Sequence, residues 1–581
     1  MKTDFIFDRS TIAPKQMPNR LNSELGGLSK EPNQKRISRR TTKGRNKKQR
    51  TCIFCLLLLI LLLVSALYVA ALFLIRTCTC EITTKLNKGA NSSLVVKTTP
   101  SLVPVQTTSV EMSTTFTKDR EIQTTSEPTS APSLTTGTST EINQMFHSSV
   151  EAHMTPRQMS AQNTTIGSRG REFIVLFTTH ALKSKKNIYV TSENGTKLNI
   201  TTSPRLDASL KSQIERSVNI PSSQRIILPQ AIELQSFQKE VKSVLIKTSS
   251  DVFIISHDKD KYSVGSTTHI PIHKLSTKYI VISTKPASKS YSQLAVAAIE
   301  DNTAISVTFK MKHNLPLKIE GKKFYNGDVF NFSLDRFETY QIEHKADLTG
   351  TFIESSAPIA TFSGNDCNEL EHIGACDHLV EQLPPTSSVD KTYIVPPNSD
   401  ERDTLIRITA TENTHFLYMI GGDTQTLFLE RLDYFDTHIS SSQSCFIESK
   451  VPLLVTSIGL GSRNSVTAMG DPSMTIVPGI NQYLDYYKIV VPPGYDHNYV
   501  SIMINFAFKD SLRINDKTIN KRAIVFEENV LASSVTYSVR TVRVVEGELT
   551  ASTVNGERFG LMFAGVTEYE AYGFSGNSLL L

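Results

Sequence analysis

A short strand-like run that returns at near-regular intervals restricts this chain more than any other feature. An aromatic or charged residue followed by β-branched residues stands at Phe173 (FIVLF), Tyr279 (YIVI), Tyr393 (YIVPP) and Lys488 (KIVVPP), about 106, 114 and 95 residues apart. A second run follows three of them: LAVAAIEDNTAISV from Leu294, LIRITATENTHFLY from Leu405 and VSIMINFAFKDSLRI from Val500. A third appears as IKTSSDVFII from Ile246, IESSAPIATF from Ile353 and IESKVPLLVT from Ile447, with LMFAGVTEYEAYGF from Leu561 as a weaker fourth copy. Self-similarity at a fixed period means one supersecondary unit built several times and stacked on its neighbours.

The runs are rich in Val, Ile, Tyr, Phe and Thr and are separated by turn clusters; 207–218 is the best helical candidate. This pattern predicts an all-β fold. Four repeats are expected, over 170–276, 277–388, 389–484 and 485–581. Each has about 100 residues, the size of one β-sandwich. Tandem β-sandwich-like repeats are the preferred architecture. A β-propeller-like alternative, with two four-stranded blades of about 50 residues per repeat, stays open.

Ahead of the repeats, 52–75 is uncharged and reads CLLLLILLLVSALYVAALFLI from Cys55. About 24 residues at roughly 1.5 Å each reach about 36 Å, enough for a transmembrane signal-anchor helix. Residues 1–50 hold 14 Lys/Arg against 4 Asp/Glu, a balance of +10 that leaves −4 for the rest. Basic residues stay on the cytosolic side, so 1–51 is expected to be a disordered cytoplasmic tail and the remainder extracellular, the type II arrangement at the plasma membrane. The acidic balance of the large part argues against nucleic-acid binding. Cys52 and Cys55 are candidates for palmitoylation.

Residues 76–169 are dense in Ser, Thr and scattered Pro, as in TTSEPTSAPSLTTGTST from Thr124. Such a segment cannot offset its ordering entropy by burial, and outside the cell it reads as a mucin-like stalk. Asn91, Asn163, Asn194, Asn199 and Asn331 head N-glycosylation sequons. Cys78 and Cys80 are candidates for linking two chains as a homodimer. SRGRE at Ser168 could be cut by a trypsin-like protease, which would shed the domain.

Cys367 and Cys376 enclose a short loop and are expected to form a disulfide; Cys445 is left as a buried free thiol. Around that loop stand Asp366, Glu369, His372, Asp377, His378 and Glu381, a candidate binding loop whose charges are expected to be solvated. No HExxH, CxxC pair, EF-hand loop, GxSxG or nucleotide-binding fingerprint occurs, so catalytic residues, metals and cofactors are expected to be none. In GDPS at Gly470 the expectation is a turn.

The run TGTFIESSAPIATFSGNDCNELEHIGACDHLVEQLPPTSSVDKTYIVPP, Thr349 to Pro397, resembles the N-terminal domain family of IgG Fc-binding protein, and GDPSMTIVPGINQY from Gly470 and LAVAAIEDNTAISV from Leu294 resemble it too. The resemblance covers about Gly170 to Leu581. It implies an extracellular setting, but the anchor and stalk depart from the family's secreted namesake, and no ligand-contacting residue is carried over. The expected function is a non-catalytic surface domain for adhesion or recognition of an extracellular protein or glycan, with a structural glycocalyx component as the alternative.

Overall fold

The computed structural model describes residues 167–181, 183–368, 370, 376–398, 401–461 and 470–580. The apolar run 52–75, Cys52, Cys55, Cys78, Cys80, Asn91, Asn163, Glu369 and His372 lie outside these residues. Among the described residues no helix is long and apolar enough to cross a membrane. Residues 167–169, placed in the stalk by composition, belong to the folded part.

The described residues are mostly β, in several antiparallel sheets. One α-helix interrupts them, Ala208–Ile214, started by Asp207, whose carboxylate accepts the Leu210 amide at 2.9 Å. The chain turns back into a strand at Arg216, so the helical pattern ends short of 218.

One pairing scheme recurs four times. The opening strands are Gly170–Val175, Ser276–Ile280, Thr392–Val395 and Tyr486–Val491. Each pairs with the first half of a late strand: Val244–Lys259, Phe352–Asn368, Cys445–Ser449 and Gly547–Thr553. A second strand pairs with the other half of that late element: Lys185–Ser192, Ser292–Ala298, Thr404–Ala410 and His497–Asn505. In the first two repeats the late strand is continuous. In the third and fourth it is broken, at a bend over 450–452 and at an Asn555-Gly556 turn, and resumes as Leu453–Gly459 and Phe559–Val566. A closing strand then pairs with its end: Val264–Thr268, Asp377–Gln382, Ser473–Ile476 and Ala571–Ser575. Opening strands pair with partners about 70 residues later, as Phe173 does with Ile246. A repeat therefore does not divide into two consecutive blades of about 50 residues.

A tyrosine fixes each of the last three opening strands. Tyr279, Tyr393 and Tyr487 are buried, and each hydroxyl accepts the amide three residues upstream. Each also donates across the repeat, to the carbonyl of Ile359, Leu453 or Phe559. The fourth motif is thus registered on Tyr487 rather than Lys488. Phe173 takes the position in the first repeat, without a hydroxyl.

The cores run continuously from repeat to repeat. Ile174 and Leu245 of the first pack with Phe362 and Val380 of the second. The core of the second takes in Leu405 and Leu454 of the third, and that of the third takes in Met503 and Val539 of the fourth. The fourth closes on Tyr189, Phe253 and Val264 of the first. At roughly 1.5–3 kcal/mol per buried aliphatic side chain, these shared clusters stabilise the repeats as a closed cycle rather than as beads on a string. The four closing strands stand innermost, each against the next, with the fourth against the first. At the join of the chain ends, the Ser168 amide donates to the Ser578 carbonyl at 2.9 Å and the Ser168 hydroxyl to Asn577 Oδ1 at 2.6 Å.

Candidate binding face

The closing strands run the same way along the axis of the cycle. At their starts, Asp377 accepts the amides of Val264 from the first repeat at 2.8 Å and Ala571 from the fourth at 2.9 Å. At their far ends, Thr268 Oγ1 donates to the Ser575 carbonyl at 2.8 Å, and Ser168 lies beside Thr268, Gln382 and Ser575 around a cavity of about 50 Å³. The chain therefore enters the cycle at one end of the axis. The hairpin loops over 260–263 and 567–570, and the described residues Cys376 and Gly470 that lead into the other two closing strands, gather at the other end, about 17 Å away for a six-residue strand at roughly 3.3 Å per step.

Two of these loops meet in an aromatic pair. Tyr262 and Tyr569 are each 47% exposed, and their rings stand edge to face with centroids 5.7 Å apart. The Lys261 ammonium lies 4.6 Å from the Tyr262 centroid. Exposed, mutually braced tyrosines offer a large amphipathic contact area at little entropic cost. The loop of the second repeat is tied at its base by the Cys367–Cys376 disulfide, with Cα atoms 5.4 Å apart.

Beneath the loops the axis is polar and buried. The four described members of the expected binding loop do not face solvent: Asp366, Asp377, His378 and Glu381 are all buried. The closing strand Asp377–Gln382 is enclosed on both faces by neighbouring repeats, so its polar side chains find partners more than 90 residues away. Glu381 accepts the Thr267 hydroxyl at 2.6 Å and the Ile476 amide at 3.1 Å, joining the second repeat to the first and third. Burial pushes the Glu381 carboxyl up to about 8. Burial and the nearby Asp471 carry Asp377 well above the usual carboxylate range. Burial raises Asp471 to about 7 against the pull of Arg402, and raises Asp366 to about 6. The buried Arg402 guanidinium donates to the carbonyls of Leu460 at 2.7 Å and Asp471 at 2.6 Å. In GDPS the expected turn is not seen: Gly470 takes φ 73°, and Asp471 and Pro472 are irregular chain leading straight into the strand that begins at Ser473.

His180, Asp258 and His378 bring one donor atom each within 4.8 Å of one another, all buried. His378 Nδ1 lies 2.9 Å from Asp258 Oδ2, and the Lys186 ammonium 3.3 Å from the same oxygen and 2.6 Å from Glu233. Burial opposes ionisation of Asp258, but its interactions with His378 and the Lys186 ammonium outweigh it and hold its pKa below the usual range. Gly265 completes the nest: its amide reaches Asp258 at 3.0 Å, and a Cβ there would sit 2.8 Å from His378 Nδ1. With an ammonium already against its carboxylate, the cluster is a satisfied hydrogen-bond network rather than a cation cradle.

Sequence reasoning missed Lys186, Asp258, Tyr262 and Tyr569. Lys186 and Asp258 are direct cross-strand partners, a relation that needs the register. Tyr262 carried a usable signal, an aromatic residue in the turn-like DKDKYS stretch between two apolar runs. Asn194, Asn199 and Asn331 are exposed. Cys445 is a buried free thiol, pushed up to about 12 by burial. SRGRE is not an open loop: Ser168 is buried and a strand begins at Gly170.

A model of the family described as IgGFc binding protein matches residues 265–565, more than half of the chain. The human IgGFc-binding protein is 31% identical over 227 residues, which are 39% of this chain and 4% of that protein's length. A Ca2+-stabilised adhesin with which an Antarctic bacterium binds ice aligns with 71% of this chain and 99% of its own, at 8% identity and a TM-score of 0.10, a likeness on which nothing here rests.

Proposed function

Because this chain belongs to the IgGFc-binding protein family, we propose that its cycle of repeats is a non-catalytic binding domain for adhesion or recognition, displayed on a cell surface as a type II membrane glycoprotein. Each repeat is read as sandwich-like, its two halves linked through the late element, which is one continuous strand in the first two repeats and broken in the last two. The observation that carries the proposal is the placing of the Tyr262–Tyr569 pair and the hairpin loops at the end of the axis opposite the point where the chain enters. Loops on a rigid scaffold, directed away from the attachment point, suit capture of an extracellular protein or glycan. The relative's name makes the Fc part of immunoglobulin G one probe to include.

The test uses residues 150–581, the compact unit that contains all the described strands, as bait against IgG Fc, mucus and cell-surface extracts. Saturable capture that falls at least tenfold in Tyr262→Ala/Tyr569→Ala supports the reading. Undiminished capture by the folded variant removes this face. A folded bait that retains nothing favours the second reading, a structural glycocalyx component, which the Ser/Thr/Pro-rich sequence of 76–169 supports.

A further inference from the structure

Six exposed lysines crowd the loop end of the axis on one side: Lys183, Lys185, Lys261, Lys285, Lys289 and Lys345. The fold brings them together from distant stretches of chain. Lys185 is the cross-strand partner of Lys259 at the end of the first long strand, and Lys261 stands two residues further, in the hairpin loop. Lys289 precedes Ser292, which pairs with His344, the neighbour of Lys345. The Lys285 carbonyl accepts Asn368 Nδ2 at 2.8 Å, beside the disulfide. The first and second repeats meet here, Gln293 Nε2 donating to the Thr179 carbonyl at 2.9 Å and Thr178 Oγ1 lying 3.0 Å from His378 Nε2.

None of the six forms an ion pair with another described residue, although Lys259 beside them is paired with Glu570 at 2.9 Å. Asp260, Glu343 and Asp347 are the half-buried acids on these segments; Glu343 already accepts from Gln293 and Gln341, and Asp347 is paired with Arg407 at 2.6 Å. The sequence adds Glu369 and Glu371, outside the described residues. The other half of this end is of mixed charge: Glu401, Asp496, Glu546 and Glu568 are exposed on the third and fourth repeats, with Arg522 and Arg543 beside Asp496 and Glu546. An acidic domain that segregates unpaired lysines into one corner carries a local positive field despite its net charge. Lysine ammoniums on flexible stems, without a forked guanidinium or an apolar pocket among them, suit mobile, repeated anionic groups rather than a single fixed carboxylate.

We propose that this corner binds an extended polysaccharide carrying closely spaced anionic groups. The inference deepens the binding reading above and rests on it. Counterion release upon contact with several lysines makes such binding steeply salt-dependent.

The probes are heparin, for sulfate, and polysialic acid, for carboxylate, presented to residues 150–581 so that the basic segment 1–50 cannot contribute. The expected result is saturable binding to at least one probe at about 150 mM salt, weakened about tenfold or more when the six lysines become glutamine, with a shallower dependence on salt. The favoured probe identifies the anionic group. Lys318→Gln/Lys322→Gln/Lys323→Gln, which strips a comparable exposed cluster from the hairpin 317–324, should change binding less than twofold. Since all the altered side chains are exposed, circular dichroism and melting should be unchanged. The milder Lys285→Gln/Lys289→Gln/Lys345→Gln variant, with an intermediate loss, covers a failure of the full set to fold. No binding of either probe by the parent fragment, equal binding by the folded six-lysine variant, or equal loss in the hairpin variant overturns the inference. A fragment that captures a partner through Tyr262 and Tyr569 yet ignores both probes overturns it while leaving the broader reading intact.

Discussion

The carboxylate of Glu381, carried by the second repeat, accepts the hydroxyl of Thr267 from the first at 2.6 Å. Both groups are buried on the axis, so the cycle is joined by an acid kept from water. The consequence is a dependence of stability on pH. Burial raises the Glu381 carboxyl from 4.5 to about 8 and the Asp471 carboxyl from 3.8 to about 7. The native state therefore binds more protons than the unfolded chain above the ordinary carboxylate range, and stability falls as pH rises toward 8. The buried histidines His257, lowered to about 3, and His269, lowered to about 4, act oppositely, but only below about pH 6.5, the unperturbed histidine value. Thermal melts from pH 6.5 to 8.5 should show the melting temperature decreasing. Glu381→Gln, which cannot ionise and retains an acceptor for the Ile476 amide, should flatten that slope.

The Tyr393 hydroxyl accepts the buried Asp390 amide at 2.7 Å and lies within donating distance of the carbonyls of Leu453 at 2.6 Å and Asp390 at 2.9 Å. Tyr393→Phe removes the acceptor of the Asp390 amide and the donor to these carbonyls and should cost about 1–3 kcal/mol in denaturant unfolding. Phe173, which holds the equivalent place without a hydroxyl, offers the control: Phe173→Tyr introduces a buried hydroxyl and should not stabilise.

The Cys367–Cys376 bond closes a short loop. Its removal by the double serine variant should cost about 2–3 kcal/mol through the gain in unfolded-state entropy. Limited proteolysis should then cut within 367–376 before anywhere else in the folded part. Equal resistance of the two forms would show that the packing of the loop, not the bond, holds it.

Arg169 and Arg171 look like protease targets in the sequence but stand at a sealed join. Trypsin should leave 168–172 intact in the native protein. Removal of residues 577–581 should expose the site and lower the melting temperature, since Asn577 and Ser578 hold Ser168.

Asn194, Asn199 and Asn331 are exposed, and the type II reading puts them outside the cell. Peptide-N-glycosidase treatment of cell-expressed protein should increase its mobility on gels. Their glutamine variants should abolish the part of the shift due to the folded domain. Absence of glycan at all three would count against the extracellular placement.

The β character was legible because β-branched and aromatic runs of strand length recur between turn clusters, and those at Phe173, Tyr279 and Tyr393 lie in opening strands. The fourth was read one residue late because Tyr486 and Tyr487 are adjacent, and only the structure shows which faces inward: Tyr487 is 1% exposed and Tyr486 38%. A slip of one residue turns a strand over, so the difference decides which side chain enters the core. The charges of Asp377, His378 and Glu381 misled for another reason. Polar residues normally mark the solvent face, but a closing strand surrounded by three other repeats has no such face. The groups that satisfy it, at Asp258, Val264, Thr267, Ile476 and Ala571, lie far away in sequence, and no local pattern announces them. The Tyr262–Tyr569 contact joins opposite ends of the folded part and was equally out of reach.

The join at Ser168 and Ser578 also has a mechanical meaning. A tether pulled from the N-terminal side delivers its load to Gly170–Val175, a strand whose ladder partner is Val244–Lys259 alone, and to the few hydrogen bonds that hold Ser168. Tension between an anchored tail and a captured particle would therefore act first on the one boundary of the cycle that no peptide bond crosses, while the other three transmit force along the covalent chain.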